Sequence, residues 1–253
     1  MKLLQANRRG LISPRPKPKT LACKLRLRTL KIVSFSGIDG AGKTTQIHAL
    51  TTWLRETGLR TKLLTFWDDV VVLPRFREFI SHRAFKGDQG IGTPQRPLNR
   101  RDKNVTSGPV TAMRFCLYFA DAIHLRRKVR MVRKSEADVV IFDRYIYDEL
   151  ANLPLERRLA RLFLRLVLWL IPKPDVAYFI DADPVAARAR KPEYPLDFIR
   201  RNREAYLTLS RLAAGITVIE PLSAEAMKMK VRDALLQRLS GSEQVCSALP
   251  ALQ

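Results

Sequence analysis

One glycine-rich stretch combines residue types and a spacing that suit phosphate binding. The pattern Gly-x-x-x-x-Gly-Lys-Thr occupies residues 37–44, directly after an apolar, β-branched run. Glycines let successive N–H groups point at one anion, and the helix that follows adds its positive N-terminal end. Lys43 would then reach the β- and γ-phosphates of ATP, and the Thr44 hydroxyl would bind Mg²⁺. The pattern predicts a Walker A loop, and a chance glycine turn is the alternative. The predicted ATP-binding residues are Gly37, Asp39, Gly40, Ala41, Gly42, Lys43, Thr44 and Thr45.

A carboxylate ends a second apolar run. Residues 139–142 read Val-Val-Ile-Phe, and Asp143 follows them. The carboxyl ends of parallel strands meet at one edge of a sheet, where a fold of this kind holds Mg²⁺ or its water shell. We therefore predict that Asp143 helps Thr44 to bind the metal by way of water. The alternative is that Asp143 only caps the turn after its strand.

The composition is strongly basic. Lys and Arg total 46 against 24 Asp and Glu, for a net charge of +22, and residues 1–29 hold nine basic residues and no acidic one. This balance suits polyanionic partners, among them nucleotides, nucleic acid and anionic membranes. Without a zinc-finger spacing or a reader motif, nucleic-acid or membrane contact is not expected to be the main function. Residues 1–29 are predicted to be a disordered basic tail, with an organelle transit peptide as the alternative.

The cysteines and the apolar runs indicate the cellular compartment of the protein. Cys23, Cys116 and Cys246 lie far apart with no paired spacing, which is typical of reduced thiols. No apolar run reaches the roughly 20 residues of a membrane-spanning helix. The sequence therefore favours a cytoplasmic protein.

Strand and helix patterns alternate along the chain. After the strand at residues 32–36, further strands are predicted at residues 61–66, 138–143, 175–180 and 216–219. Helices are predicted at 43–56, 74–80, 110–135, 147–170, 184–190, 196–212 and 224–239. A long basic loop covers 82–109, and 240–253 is predicted to be a disordered tail. Such alternation predicts an α/β, three-layer fold over residues 30–239, with a parallel sheet of about five strands and helices on both faces. Together with the Walker A loop, it indicates a P-loop NTPase fold.

Three segments resemble thymidylate kinases, the P-loop enzymes that phosphorylate dTMP. The loop Gly-Ile-Asp-Gly-Ala-Gly-Lys-Thr-Thr-Gln, the triplet at residues 143–145 and the basic segment at residues 184–195 match that family in order and spacing. The resemblance implies that Asp39 faces the sugar of the acceptor and that Arg144 binds its phosphate. A guanidinium suits this role because its fork can bind phosphate through two hydrogen bonds.

The resemblance also implies a mobile lid at residues 184–195. In the family, an arginine of the loop or of the lid stabilises the transferring phosphoryl group. The corresponding loop positions here are Gly40 and Ala41, so Arg188 and Arg190 are the candidates, unless the segment is only an exposed basic turn. The family forms homodimers, and the resemblance implies a homodimer here.

The predicted acceptor pocket departs from the family pattern. Tyr118 is placed to stack on the base or to belong to the core, but Ala122 stands where the family has an arginine. Asp148 replaces a small hydroxyl residue, and Asp68-Asp69 replaces Arg-Glu-Pro after the second strand. ATP use is therefore better supported than dTMP as the acceptor.

Three functions follow from these residues. The first is transfer from ATP to a nucleoside monophosphate, most simply dTMP, which needs no general base because the second phosphate pKa lies near 6. The second is a deoxynucleoside kinase, in which Asp68 or Asp69 would accept the proton of a hydroxyl. The third is a nucleotide-binding regulatory protein that has lost its acceptor site.

Overall fold

A computed structural model describes residues 32–73 and 108–246 of the 253-residue chain. Its centre is a five-stranded parallel sheet in the order β2-β3-β1-β4-β5. The strands are β1 (Ile32–Ser36), β2 (Thr61–Thr65), β3 (Val139–Asp143), β4 (Val176–Ile180) and β5 (Ile216–Ile219). The predicted five-stranded α/β fold is therefore confirmed.

Helices surround this sheet. They are α1 (Lys43–Glu56), α2 (Phe66–Asp69), α3 (Gly108–Arg133), α4 (Tyr147–Leu150), α5 (Arg158–Leu170), α6 (Pro184–Arg190), α7 (Leu196–Leu212) and α8 (Ala224–Cys246). Helix α1 packs on β1, β2 and β3 and also contacts α8, while α8 contacts β4 and β5. Helices α3 and α5 pack together through the stacked rings of Phe115 and Phe163, whose centroids lie 4.2 Å apart.

The central strands are apolar because both of their faces are covered. Every residue of β1 and of β4 is buried, as expected for inner strands of a parallel sheet with helices around it. The register pairs Phe35 of β1 with both Asp143 of β3 and Tyr178 of β4. The carboxyl ends of these three strands therefore meet at one edge, where the glycine-rich loop begins.

Several predicted boundaries differ from the structure. The second strand ends at Thr65, because Phe66 begins the short helix α2, whose Asp69 carboxylate accepts a hydrogen bond from the Thr65 N–H at 3.0 Å. The helical arm predicted over 147–170 is two helices, α4 and α5, separated by a stretch that contains Pro154. The last helix runs to Cys246, beyond the predicted end at 239 and into the predicted disordered tail.

Other predictions fall on parts of the chain outside the described residues. These are the basic tail at 1–29, the helix at 74–80, most of the loop at 82–109 and the end of the tail at 247–253. Within the described residues, no helix is both long enough and apolar enough to cross a membrane.

Candidate active site

The glycine-rich loop connects β1 to α1 and lies tightly against neighbouring backbone. Gly40 has φ +80°, and a Cβ atom there would come within 2.2 Å of the Ala187 carbonyl oxygen on α6. Gly37 has φ +144°, and its Cβ would come within 2.5 Å of the Ile180 carbonyl oxygen at the end of β4. Both positions therefore require glycine for conformation and for space.

Lys43 begins α1 and folds back into this loop. Its Nζ donates hydrogen bonds to the carbonyl oxygens of Gly37 and Ile38, both at 2.8 Å. Burial, followed by the nearby positive charge of Arg144, lowers the pKa of Lys43 to about 8. The ammonium group is therefore charged at neutral pH and loses its proton more readily than an exposed lysine does.

Arg144 follows β3 and adopts a backbone conformation that is rare outside glycine. Its φ is +69°, and its N–H donates to the Phe35 carbonyl oxygen of β1 at 2.8 Å. The guanidinium Nη2 binds Asp39 of the loop at 2.6 Å, and Nη1 binds Asp148 at 2.9 Å. Burial opposes its charge, but Asp148 and Asp39 raise the pKa of Arg144 well above the ordinary value. Backbone strain of this kind is often concentrated at functional sites.

Asp148 on α4 collects further hydrogen bonds. Its Oδ1 also accepts one from the Tyr206 hydroxyl of α7 at 2.6 Å. Its Oδ2 accepts from Ser36 Oγ at 2.6 Å and from the Tyr145 N–H at 3.2 Å. Asp148 is only 4% exposed. The sequence marked Asp148 as a departure from a family pattern but gave no sign of this cluster, apart from its i,i+4 spacing from Arg144.

Asp143 and Thr44 have the chemistry of magnesium ligands. Burial raises the pKa of Asp143, while Lys43 and Arg144 act in the opposite direction. Among the described residues, no side chain donates a hydrogen bond to the Asp143 carboxylate, and the Thr44 side chain at the start of α1 is exposed. Hard cations such as Mg²⁺ prefer oxygen ligands of this kind, so both residues fit the metal. No cluster of three potential metal-binding side chains occurs within the described ranges.

The predicted lid segment contacts the loop. Helix α6 is capped by Asp183, whose Oδ1 accepts from the N–H groups of Val185 and Ala186. Lys191 Nζ, just after α6, lies 3.8 Å from the Asp39 carboxylate. Arg188 is partly exposed, and the exposed Arg190 donates from Nε to the Ala186 carbonyl oxygen at 3.2 Å. Both arginines thus lie on the helix whose Ala187 carbonyl group is next to Gly40.

The two other predicted acceptor residues, Asp68 and Tyr118, lie on α2 and α3. Asp68 is exposed on α2 and makes no hydrogen bond or ion pair with another described residue. Tyr118 on α3 is 7% exposed and belongs to the hydrophobic core. The structure therefore brings Asp39, Lys43, Asp143 and Arg144 together, whereas Asp68 lies outside that cluster.

The fold and the site define a P-loop nucleotide kinase, a class of phosphotransferase. The features that define it are the parallel sheet, the glycine-rich loop before Lys43 and the Asp-Arg pair at the end of β3. Comparison with known proteins narrows the class. No family model matches the chain. A thymidylate kinase of Cutibacterium acnes is 30% identical over 219 residues, which cover 83% of this chain and 96% of that protein. A thymidylate kinase of Bifidobacterium longum subsp. infantis is 30% identical over 190 residues, which cover 70% of this chain and 73% of that protein. The chain therefore belongs to the thymidylate kinase family.

A solved structure shows the same fold. The crystal structure of thymidylate kinase from Ehrlichia chaffeensis matches 81% of this chain and 98% of that one, with a TM-score of 0.52 at 20% sequence identity. At this identity the likeness concerns the fold. It agrees with the five-stranded parallel sheet and its surrounding helices.

Proposed function

We propose that this protein transfers the γ-phosphoryl group of ATP to dTMP, forming dTDP and ADP. The observation that carries the proposal is the meeting of Lys43 and Arg144 at the carboxyl ends of the adjacent strands β1 and β3, with Asp39 joined to Arg144 at 2.6 Å. Lys43 would bind the phosphates of ATP, and Arg144 would bind the phosphate of the acceptor. The two relatives described above are both named thymidylate kinases, and this name supports thymine as the base of the acceptor nucleotide.

The acceptor simplifies the chemistry. A nucleoside monophosphate has a second phosphate pKa near 6, so its attacking oxygen is already ionised at neutral pH. Catalysis then consists of alignment and charge neutralisation. In this assignment Lys43 binds the β- and γ-phosphates, Arg144 binds the acceptor phosphate, and Arg188 and Arg190 reach the transferring group from the lid at residues 184–195. Asp39 faces the acceptor sugar.

Thr44 and Asp143 would hold Mg²⁺, Asp143 by way of water. The metal, when bound, neutralises charge on the β- and γ-phosphates. The other residues of the loop, Gly37, Gly40, Ala41, Gly42 and Thr45, bind the phosphates mainly through backbone N–H groups.

The hydroxyl-phosphorylating alternative has weaker support. Asp69 is committed to other contacts, since it accepts from the Thr65 N–H and pairs with Lys128 Nζ at 3.1 Å. Asp68 is exposed. Neither carboxylate lies in the cluster around Arg144. A regulatory protein remains the alternative if Ala122, which is fully buried, marks a lost acceptor site.

Initial rates of ADP release test these functions. The panel contains dTMP, dUMP, UMP, CMP and AMP as monophosphates and thymidine as the nucleoside, each with ATP and Mg²⁺. We expect dTMP to give the highest kcat/KM. ATP consumption with thymidine but with no monophosphate would support the deoxynucleoside kinase, and tight ATP binding without transfer to any acceptor would support the regulatory protein. Omission of Mg²⁺ should abolish transfer.

A homodimer is a further part of the proposal. The outer side of α5 presents four large apolar side chains, at Leu159, Leu162, Leu166 and Trp169, and Trp169 is 80% exposed. Large exposed apolar patches often mark interfaces. Light scattering should give twice the mass of the chain, and Leu162→Glu should give the monomer. Leu222→Glu changes an exposed leucine outside α5 and should leave the dimer intact.

A further inference from the structure

The four hydrogen bonds that Asp148 accepts can all be made only by a carboxylate. An ionised carboxyl group has acceptor sites on both oxygens, whereas an amide of the same shape pairs one oxygen with a donor NH₂ group. With asparagine at this position, the NH₂ group would face either the Tyr145 N–H or the Arg144 guanidinium, and both are donors. Position 148 therefore requires the negative charge as well as the shape of aspartate.

The Arg144 guanidinium is held from two different sides. Asp39 belongs to the glycine-rich loop and is also approached by Lys191 at 3.8 Å. Asp148 instead lies on α4 and is tied to the last residue of β1 through Ser36 Oγ. Asp148 is thus the support that is tied to the sheet, and Asp39 is the one that belongs to the loop.

A second tie joins Asp148 to α7, the helix that follows the predicted lid. The Tyr206 ring stacks on Phe179 of β4, with the ring centroids 5.1 Å apart. Burial and the Asp148 charge raise the pKa of Tyr206 well above its ordinary value, so its hydroxyl stays a donor. One turn earlier, Arg203 binds both oxygens of Asp181 at 2.6 and 2.7 Å. Helix α7 is therefore held at two points, by Asp181 just after β4 and by Asp148, the residue that also holds Arg144.

We propose that Asp148 is a positioning residue whose carboxylate, tied to the sheet by Ser36 and to α7 by Tyr206, orients Arg144 toward the acceptor phosphate. The inference rests on the proposed function, because it requires Arg144 to bind that phosphate. Asp148 is too buried to touch the acceptor, and its charge would repel a phosphate. It acts through Arg144.

The first experiment measures KM for dTMP and for ATP separately in Asp148→Asn and in Asp148→Ser, which restores the small hydroxyl residue typical of the family. We expect KM for dTMP to rise by about 10- to 100-fold, because a guanidinium that is no longer held in place loses a hydrogen bond to the charged phosphate, and such a loss weakens binding by about that factor. KM for ATP should stay within about twofold, because the loop around Lys43 is unchanged.

The control is Asp138→Asn. Asp138 directly precedes the first residue of β3, whereas Arg144 follows the last one. Its carboxylate accepts hydrogen bonds from the Arg60 N–H at 2.9 Å and from Arg60 Nε at 3.3 Å. Its substitution removes a similar carboxylate–arginine contact far from the cluster, and both KM values should be unchanged.

The second experiment compares two buried tyrosines and stands even if the Asp148 variants fail to fold. Tyr206→Phe removes the hydroxyl bonded to Asp148, whereas Tyr178→Phe removes one that donates to the Val231 carbonyl oxygen at 2.7 Å. Each variant loses one neutral donor. We expect KM for dTMP to rise about 3- to 10-fold in Tyr206→Phe and to be unchanged in Tyr178→Phe.

Three results would overturn the inference. One is an unchanged KM for dTMP in Asp148→Asn and Tyr206→Phe while the parent phosphorylates dTMP, which leaves the proposed function intact. Another is an equal rise of both KM values, which would show a general structural role. The third is a parent protein that neither binds nor phosphorylates dTMP, which removes the proposed function and the inference together.

Discussion

The two sides of the candidate site are built in different ways. The proposed ATP side, residues 37–45, is shaped by the main chain, because Gly37 and Gly40 lie against the carbonyl oxygens of Ile180 and Ala187 and Lys43 is held by two more carbonyl groups. The proposed acceptor side depends on side chains, because Arg144 is held by Asp39 and Asp148. A site built from backbone tolerates little change in sequence, whereas a site built from side chains can be rebuilt by a few substitutions.

The largest expected effect is on the ATP side. Lys43→Ala removes the cation that would neutralise the β- and γ-phosphates, and we expect kcat to fall by about 10²- to 10³-fold. KM for dTMP should change much less if the two sides are independent. Lys62→Ala, which removes an exposed lysine from β2, is the control. Full activity in Lys43→Ala would contradict the assignment of the loop to ATP.

A pair of glycine substitutions tests whether backbone contact shapes the ATP side. Gly40 and Gly215 both have positive φ, +80° and +93°, but the nearest atom to a Cβ on Gly215 is a flexible Arg238 nitrogen at 3.8 Å. Gly215→Ala should cost about 1 to 2 kcal/mol in the free energy of unfolding, from backbone strain alone. Gly40→Ala adds the clash with Ala187 and should cost about 2 to 5 kcal/mol. Urea unfolding measures both, and equal costs would mean that α6 yields to the added methyl group.

The pH dependence of ATP use distinguishes a lysine from a permanently charged group. Burial lowers the pKa of Lys43 to about 8, so the charged form is lost as the pH rises through that value. We expect kcat/KM for ATP to be roughly tenfold lower at pH 9 than at pH 7. Bound ATP favours the charged form, so the corresponding fall in kcat should occur at higher pH. In Lys43→Arg the fall in kcat/KM near pH 8 should disappear, and its persistence would assign it to another group.

The contrast between backbone and side-chain contacts also explains which features could be predicted from the sequence. The strands and most helices follow from local apolar periodicity, and the loop follows from spacing over residues 37–44. The Asp148 cluster was missed because its partners are remote in the chain, with Ser36 112 residues away and Tyr206 58 residues away. The early end of β2 was missed because it depends on a local contact of the Asp69 side chain, which apolar periodicity does not reveal.

The smallest expected effect concerns the exposed carboxylate of α2. Asp68→Asn should change kcat with dTMP by less than about twofold, because an ionised acceptor phosphate needs no general base. The assay should be run with dTMP and with thymidine, and Glu136→Gln, at a highly exposed carboxylate paired with Arg60, serves as the control. A loss of more than about tenfold would make Asp68 a proton acceptor, as general acid–base catalysis contributes at least that much. The acceptor would then be a hydroxyl group, and the acceptor side would have been rebuilt for a nucleoside while the ATP side stayed the same.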